Sequence, residues 1–317
     1  MKAEENNCYA MNTEVSQKAK WTAIGKYSVT SELFIDLIFN NACNCNCPFC
    51  IAKTKSFAEE NFDKWKNSLK SAFGIFDIKH VIILGGEATI DPCFWEKVGF
   101  LSELSAKVQN IILTTNGIRL RNCDFLNGIA KSCITSVNIS YMNHDKAVND
   151  QIFGADTLTK SDIEQIYRVL KANGKTLRIN ANVYRGNLDT VLGMNQFTDY
   201  FSGCCDYIKF SPLMDTEMFH TIDSVLDYSK NSSLSESEVR QLYDDYSSQF
   251  TVIMKSSNIL GFVDYSELSA KGQGVILKYA QVEDKYDRNT VIPTLKLYPN
   301  GNLSNEWDYK KDILKDF

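Results

Sequence analysis

The feature that most constrains the fold of this 317-residue chain is an alternation of short apolar runs with stretches of helical periodicity, repeated along residues 33–213. The runs are residues 33–39, 81–84, 110–114, 135–140 and 206–210, with 177–183 alternating apolar and polar residues as a strand does. Their length and their β-branched or aromatic content mark buried strands. Between them, residues 57–73, 94–104, 123–131, 161–172 and 188–201 carry apolar side chains at spacings of three and four, as amphipathic helices do. Strand followed by helix, repeated, predicts parallel strands joined by right-handed crossovers, and therefore an α/β fold built as an open or closed parallel barrel. In such barrels the chemistry gathers at the C-terminal ends of the strands. Beyond Met214 the rhythm changes. Residues 235–250 read as a helix with Ser235 and Glu238 at capping-box spacing. Residues 251–254 and 294–298 read as strands, and Pro299-Asn300-Gly301-Asn302 as a turn leading to a return strand at 303–307.

Four of the ten cysteines stand in eight residues, Cys43-Asn44-Cys45-Asn46-Cys47-Pro48-Phe49-Cys50, directly after the first strand. Ten cysteines without an apolar secretory segment point to metal or redox chemistry in a reducing compartment and not to a disulfide framework. Nowhere do some 18 apolar residues run together, so a soluble, cytoplasmic protein without a membrane partner is expected. The net charge of -5 argues against general nucleic-acid binding. A zinc knuckle would normally need a second cysteine pair a dozen or more residues away. The adjacent Cys204-Cys205 supplies one poorly.

The spacing Cys-x3-Cys-x2-Cys of Cys43, Cys47 and Cys50, with Phe49 before the last, resembles that of the radical S-adenosylmethionine (radical SAM) enzymes. The likeness runs from about Leu33 to Met214. Gly85-Gly86-Glu87-Ala88 resembles the family's Gly-Gly-Glu-Pro after the second strand, without the proline. Thr114-Thr115-Asn116-Gly117 is similar to the end of its third strand, and Ser140 stands where many members contact the cofactor. The resemblance implies a partial parallel (β/α)6 barrel with a C-terminal α+β cap, divided into a leader (1–31), a core (32–215) and a cap (216–317) on the substrate side. It also implies one [4Fe–4S] cluster on Cys43, Cys47 and Cys50, with Cys45 a bystander. Three protein ligands leave one iron open, and the amine and carboxylate of S-adenosylmethionine can complete it. No cysteine follows Cys205, so a single cluster is expected.

For S-adenosylmethionine the expected contacts are Phe49, Gly85, Gly86, Glu87, Thr115, Asn116, Ser140, Arg178, Asn180, Pro212 and Leu213. The glycines would give close approach and positive φ, and Glu87 an acceptor for the cofactor's ammonium. Arg178, Asn180 and Asn182 share one face of their strand by the period of two. Tyr298, Asn300 and Trp307 are candidates for the substrate side. Cys93, Cys123, Cys133, Cys204 and Cys205 are expected as buried small residues, and His80, His144 and His220 as structural. The implied reaction is reductive cleavage of S-adenosylmethionine to a 5′-deoxyadenosyl radical that abstracts hydrogen from a small-molecule, nucleotide-like or peptide substrate. Flavodoxin or ferredoxin would supply the electron. The competing reading is a non-catalytic iron–sulfur or zinc protein using the same barrel for interaction.

Overall fold

The computed structural model describes residues 21–54, 59–213, 221–257, 263–270, 273–281 and 290–317. The strands are β1 (Trp21–Ile24), β2 (Tyr27–Ile38), β3 (Ile78–Leu84), β4 (Asn110–Thr115), β5 (Ser136–Ser140), β6 (Thr176–Val183), β7 (Tyr207–Pro212), β8 (Thr251–Ser257), β9 (Val263–Ala270), β10 (Gln273–Gln281), β11 (Val291–Leu297) and β12 (Leu303–Ser304). The helices are α1 (Phe62–Ile75), α2 (Phe94–Leu104), α3 (Cys123–Lys131), α4 (Lys146–Phe153), α5 (Lys160–Ala172), α6 (Val191–Tyr200), α7 (Asp223–Ser232) and α8 (Glu236–Ser247).

Strands β2 to β7 lie side by side in chain order and pair parallel throughout, as the alternation predicts. The sheet does not close, and two strands from the C-terminal part extend it. β11 pairs parallel with β2 at one edge and β10 pairs parallel with β7 at the other, with β12 and the β9–β8 ribbon added antiparallel outside them. Residues 21–31, expected to be an irregular leader, instead form β1 and the start of β2, joined by a two-residue turn at Gly25, whose φ of 58° suits glycine. Residues 1–20, Met214 and His220 lie outside the described residues.

Each strand divides its side chains between two environments. Along β6, Leu177, Ile179, Ala181 and Val183 are buried while Arg178, Asn180 and Asn182 alternate with them. The apolar set belongs to one continuous core that includes Trp65 and Leu69 of α1, Phe94 and Leu101 of α2, and Ile163 and Leu170 of α5. The core therefore lies between the sheet and its helices, and the polar alternates face the interior of the open barrel. The first crossover helix starts at Phe62, later than the periodicity from residue 57 suggests, because the Asn61 side chain accepts from the Lys64 amide and fixes the N-terminus. The capping box expected at Ser235 and Glu238 is formed. The return strand at 303–307 is only the two residues of β12.

Candidate active site

The cysteine loop leaves the end of β2 and is docked by its neighbours on three sides. On the β3 side, the Gly86 amide donates to the Asn40 carbonyl at 3.0 Å and the Glu87 amide to the Ala42 carbonyl at 2.7 Å. A Cβ at Gly85 would stand 2.8 Å from the Asn40 oxygen, and one at Gly86 would stand 2.2 Å from the Ala42 oxygen. Neither glycine has positive φ. The two are required because the cysteine loop's backbone lies against them, and the expectation of a left-handed conformation there is corrected. On the β4 side, Asn116 Nδ2 donates to Asn44 Oδ1 at 2.7 Å and approaches Cys45 Sγ at 3.3 Å. Gly117, at φ 78°, turns the chain away. Beyond β5, the Phe153 carbonyl at the end of α4 accepts from the Asn46 amide at 2.7 Å.

Glu87 is the buried tie between two of these loops. Its Oε1 accepts from the Thr89 amide (3.1 Å), the Thr89 hydroxyl (2.6 Å) and the Thr115 hydroxyl (2.7 Å), and its Oε2 from the Asn116 amide (2.7 Å). With Oε1 filled and Oε2 half filled, Glu87 holds the β3 and β4 loops together. The cofactor's ammonium, for which this carboxylate is an expected acceptor, would share Oε2 with the Asn116 amide. A free acceptor lies beside it: Asn40 donates its Nδ2 to the Glu87 carbonyl, while its buried Oδ1 has no partner among the described residues. Under the loop, Lys97 of α2 donates to the Phe39 carbonyl (2.5 Å) and to Asp91 (2.6 Å), a buried ion pair that fixes the end of β2.

These loops frame a cavity of about 470 Å³ at the C-terminal ends of the strands. Cys43, Cys47, Cys50 and Phe49 line it, with Gly85, Gly86, Glu87, Thr115, Asn116, Ser140, Asn180, Pro212 and Leu213. Phe49 packs with Met142, Phe153, Tyr184 and Leu213 in a small apolar cluster behind the cysteines. Arg178 does not reach the cavity. It lies two residues before Asn180 on the same face of β6 and donates to Asn180 Oδ1 at 2.9 Å, which orients that amide. Tyr298 and Trp307 line the wall, but Asn300 does not, since its side chain is used in the turn to Asn302 and to the Tyr309 carbonyl.

The thiols differ sharply. A hydrogen bond with the Cys45 thiol holds Cys43 down to about 7, and Cys45 is raised by the same contact. Burial, with the neighbouring Cys50 and Cys43, pushes Cys47 up to about 12, and burial raises Cys50. Among the described residues no three His, Cys, Asp or Glu side chains are gathered tightly enough to hold a single metal ion. A mononuclear zinc centre requires such convergence. A polynuclear cluster takes each thiolate on a different iron and does not. Cys43, Cys47 and Cys50 line the cavity beside the unpartnered Asn40 oxygen, and thiolates with a neighbouring oxygen acceptor are the donor set that a cluster with a chelating small molecule needs.

Sequence reasoning missed Asn40, Met142, Phe153, Tyr309, Lys209 and Lys278 as lining residues. Lys209 stands at an alternate position of an apolar strand, a signal that was present; Lys278 lies in β10, which no clear periodicity announced. Cys45 also reaches the cavity wall. Cys204 and Cys205 are buried as expected, whereas Cys123 is exposed. His80 stacks on Phe34 and bonds Glu32 and Asn110, a structural role.

Residues 37–176 match the family model described as the Radical SAM superfamily. Among solved structures, Streptococcus suis SuiB bound to S-adenosylmethionine superposes with a TM-score of 0.59 at 16% identity, over 86% of this chain and 60% of that one. The SuiB complex with precursor peptide SuiA gives 0.59 at 15%, over 86% and 59%. The structure titled native anSMEcpe with bound AdoMet and Cp18Cys peptide gives 0.50 at 18%, over 68% and 59%. At these identities the likeness is one of fold. The chain spans about 60% of the length of the SuiB chain it matches. No curated protein matches its sequence.

Proposed function

We propose that this chain, whose residues 37–176 match the Radical SAM superfamily model, is an enzyme of that superfamily. It would cleave S-adenosylmethionine reductively at one [4Fe–4S] cluster and abstract hydrogen from a peptide or small-molecule substrate. The observation that carries this is the convergence of Cys43, Cys47 and Cys50 with the Gly85–Glu87, Asn116 and Ser140 strand ends on one cavity. When bound, the cluster and S-adenosylmethionine supply a 5′-deoxyadenosyl radical by one-electron reduction, chemistry that belongs to the cofactors.

The protein's own work is placement and exclusion of water. Cys43, Cys47 and Cys50 would hold three irons and leave the fourth open. Asn40 Oδ1, buried and unpartnered, is the acceptor suited to an ammonium group beside the open iron. Ser140, Asn180 and the Thr115–Asn116 turn offer polar contacts to a ribose or carboxylate, and Pro212 and Leu213 apolar contact to a purine. Phe49, wedged among Met142, Phe153 and Leu213, closes the back of the loop against water, which a reactive radical requires.

The peptide-bound SuiB and anSMEcpe structures favour a peptide among the possible substrates. A cytoplasmic location and a flavodoxin or ferredoxin donor accord with this reading. No helix among the described residues is long and apolar enough to cross a membrane. Anaerobic reconstitution should give four irons per chain, a spectrum that responds to S-adenosylmethionine, and 5′-deoxyadenosine after reduction. Joint substitution of Cys43, Cys47 and Cys50 by alanine should abolish all three, whereas C45A should retain them. Full cleavage by the triple variant refutes the assignment.

A further inference from the structure

The end of β2 carries a buried charge pair that the packing around it does not require. At that end the Phe39 amide donates to the Leu84 carbonyl at 2.8 Å, but the carbonyl that continues the contact with the β3 loop is that of Asn40, which accepts from the Gly86 amide at 3.0 Å. The Phe39 carbonyl, one step out of phase, accepts instead from Lys97 Nζ of α2 at 2.5 Å. Lys97 also donates to Asp91 Oδ2 at 2.6 Å, and Asp91 Oδ1 accepts from the Cys93 amide at 2.7 Å. Asp91 itself closes the single helical turn Ala88–Ile90 that follows Glu87. The pair therefore joins three pieces: the strand that feeds the cysteine loop, the segment after Gly85-Gly86-Glu87, and the start of α2.

Both side chains are all but sealed from solvent, Lys97 at 5% exposure and Asp91 at 1%. The Phe39, Phe62 and Trp65 rings stand 5.4, 5.7 and 5.6 Å from the ammonium. In such surroundings desolvation cancels most of the attraction between the charges, and an apolar pair of similar volume is often as stable or more so. What an apolar side chain cannot do is donate a hydrogen bond to a buried carbonyl. Cys43 lies four residues beyond Phe39, and the backbone between them meets the β3 loop through Asn40 with Gly86 and Ala42 with Glu87. A carbonyl held at the start of that segment sets the register of both contacts, and through them the place of the first thiol.

Resting on the function proposed above, we propose that Lys97 and Asp91 are positioning residues for the iron–sulfur cluster, acting through the Phe39 carbonyl and kept for the geometry of the ligand loop with no gain in stability. The test measures two quantities on the full chain: the urea midpoint before iron loading and, after anaerobic loading, the rate at which the ferrous chelator ferrozine removes iron. Lys97→Met leaves the Asp91 carboxylate buried alone, so the midpoint should fall and iron should leave faster. Lys97→Met combined with Asp91→Asn removes both charges and keeps an oxygen for the Cys93 amide. Its midpoint should return to that of the parent, while iron still leaves at least about tenfold faster, because a hydrogen bond from a charged donor is worth that factor or more.

Iron release by the double variant at the parent's rate overturns the proposal, since the pair then has no hold on the ligand loop. So does a double variant whose midpoint stays as low as that of Lys97→Met, which assigns the pair to stability. An unchanged midpoint and release rate in Lys97→Met overturn it as well. A parent that takes up no iron refutes the reaction assignment and this inference with it, whereas a parent and double variant that hold four irons equally well refute the positioning role alone.

Discussion

Gly86→Ala is the sharpest single test of how the cysteine loop is held. The added Cβ would meet the Ala42 oxygen at 2.2 Å, the Ala42 carbonyl carbon at 2.6 Å and the Asn41 oxygen at 2.7 Å. Comfortable carbon contacts begin at about 3.5 Å, and these are backbone atoms that cannot rotate aside. The loop must retreat, which lengthens the Gly86–Asn40 and Glu87–Ala42 hydrogen bonds together. At about 1 kcal/mol net for each bond, with residual overpacking, the docked loop loses about 3 kcal/mol, or roughly a hundredfold in its equilibrium with undocked forms. The loss falls on the ligand loop, so iron per chain after anaerobic reconstitution should drop well below that of the parent. Gly99→Ala is the control. Gly99 lies in α2 with nothing within 4 Å of its would-be Cβ, and alanine there should stabilise by up to about 1 kcal/mol. If Gly86→Ala and Gly99→Ala load iron equally and unfold in urea at the same midpoint, the docking argument is wrong.

Glu87→Gln keeps the shape of the tie but turns an N–H₂ towards the Asn116 amide or the Thr115 and Thr89 donors. A loss of about 2 kcal/mol in urea unfolding is expected, and an unchanged midpoint would show that the carboxylate is dispensable as a tie. Asp36 is buried on β2, and burial raises its carboxyl from 3.8 to about 6, with Lys296 opposing the shift. A folded-state value above the unfolded one means the favourable contribution is complete below about pH 4 and is lost as pH rises through about 6. Asp36→Asn should therefore gain on the parent by up to about 3 kcal/mol at pH 8, and the gain should vanish near pH 4. A difference that stays constant from pH 4 to 8 would rule this out.

The sequence carried the six central strands and the cysteine triad because both are local signals: a run of apolar residues reports its own burial, and Cys43, Cys47 and Cys50 stand in one loop. It misjudged residues whose role is set by what approaches from elsewhere in the chain. The period of two placed Arg178 and Asn180 correctly on one face but could not say which of them stands level with the cavity. Nothing in Gly85-Gly86-Glu87 discloses that its glycines admit the Ala42 backbone or that its carboxylate meets Thr89, Thr115 and Asn116. β10 escaped notice because Gly274, Lys278 and Gln281 break its pattern, and Lys278 with it.

The two edge strands of the barrel have an implication for how the chain is assembled. β10 and β11 are consecutive in sequence yet take opposite edges of the parallel sheet, one beside β7 and the other beside β2. The residue pairs that complete the β2 edge, such as Thr294 with Phe34, lie 260 residues apart in sequence. Such pairings demand closure of very long loops, which slows folding. During synthesis β2 and β7 would wait as bare parallel edges, exposed to pairing with other chains. The cavity walls carrying Lys278 and Tyr298 are thus made only after the cysteine loop and all six central strands.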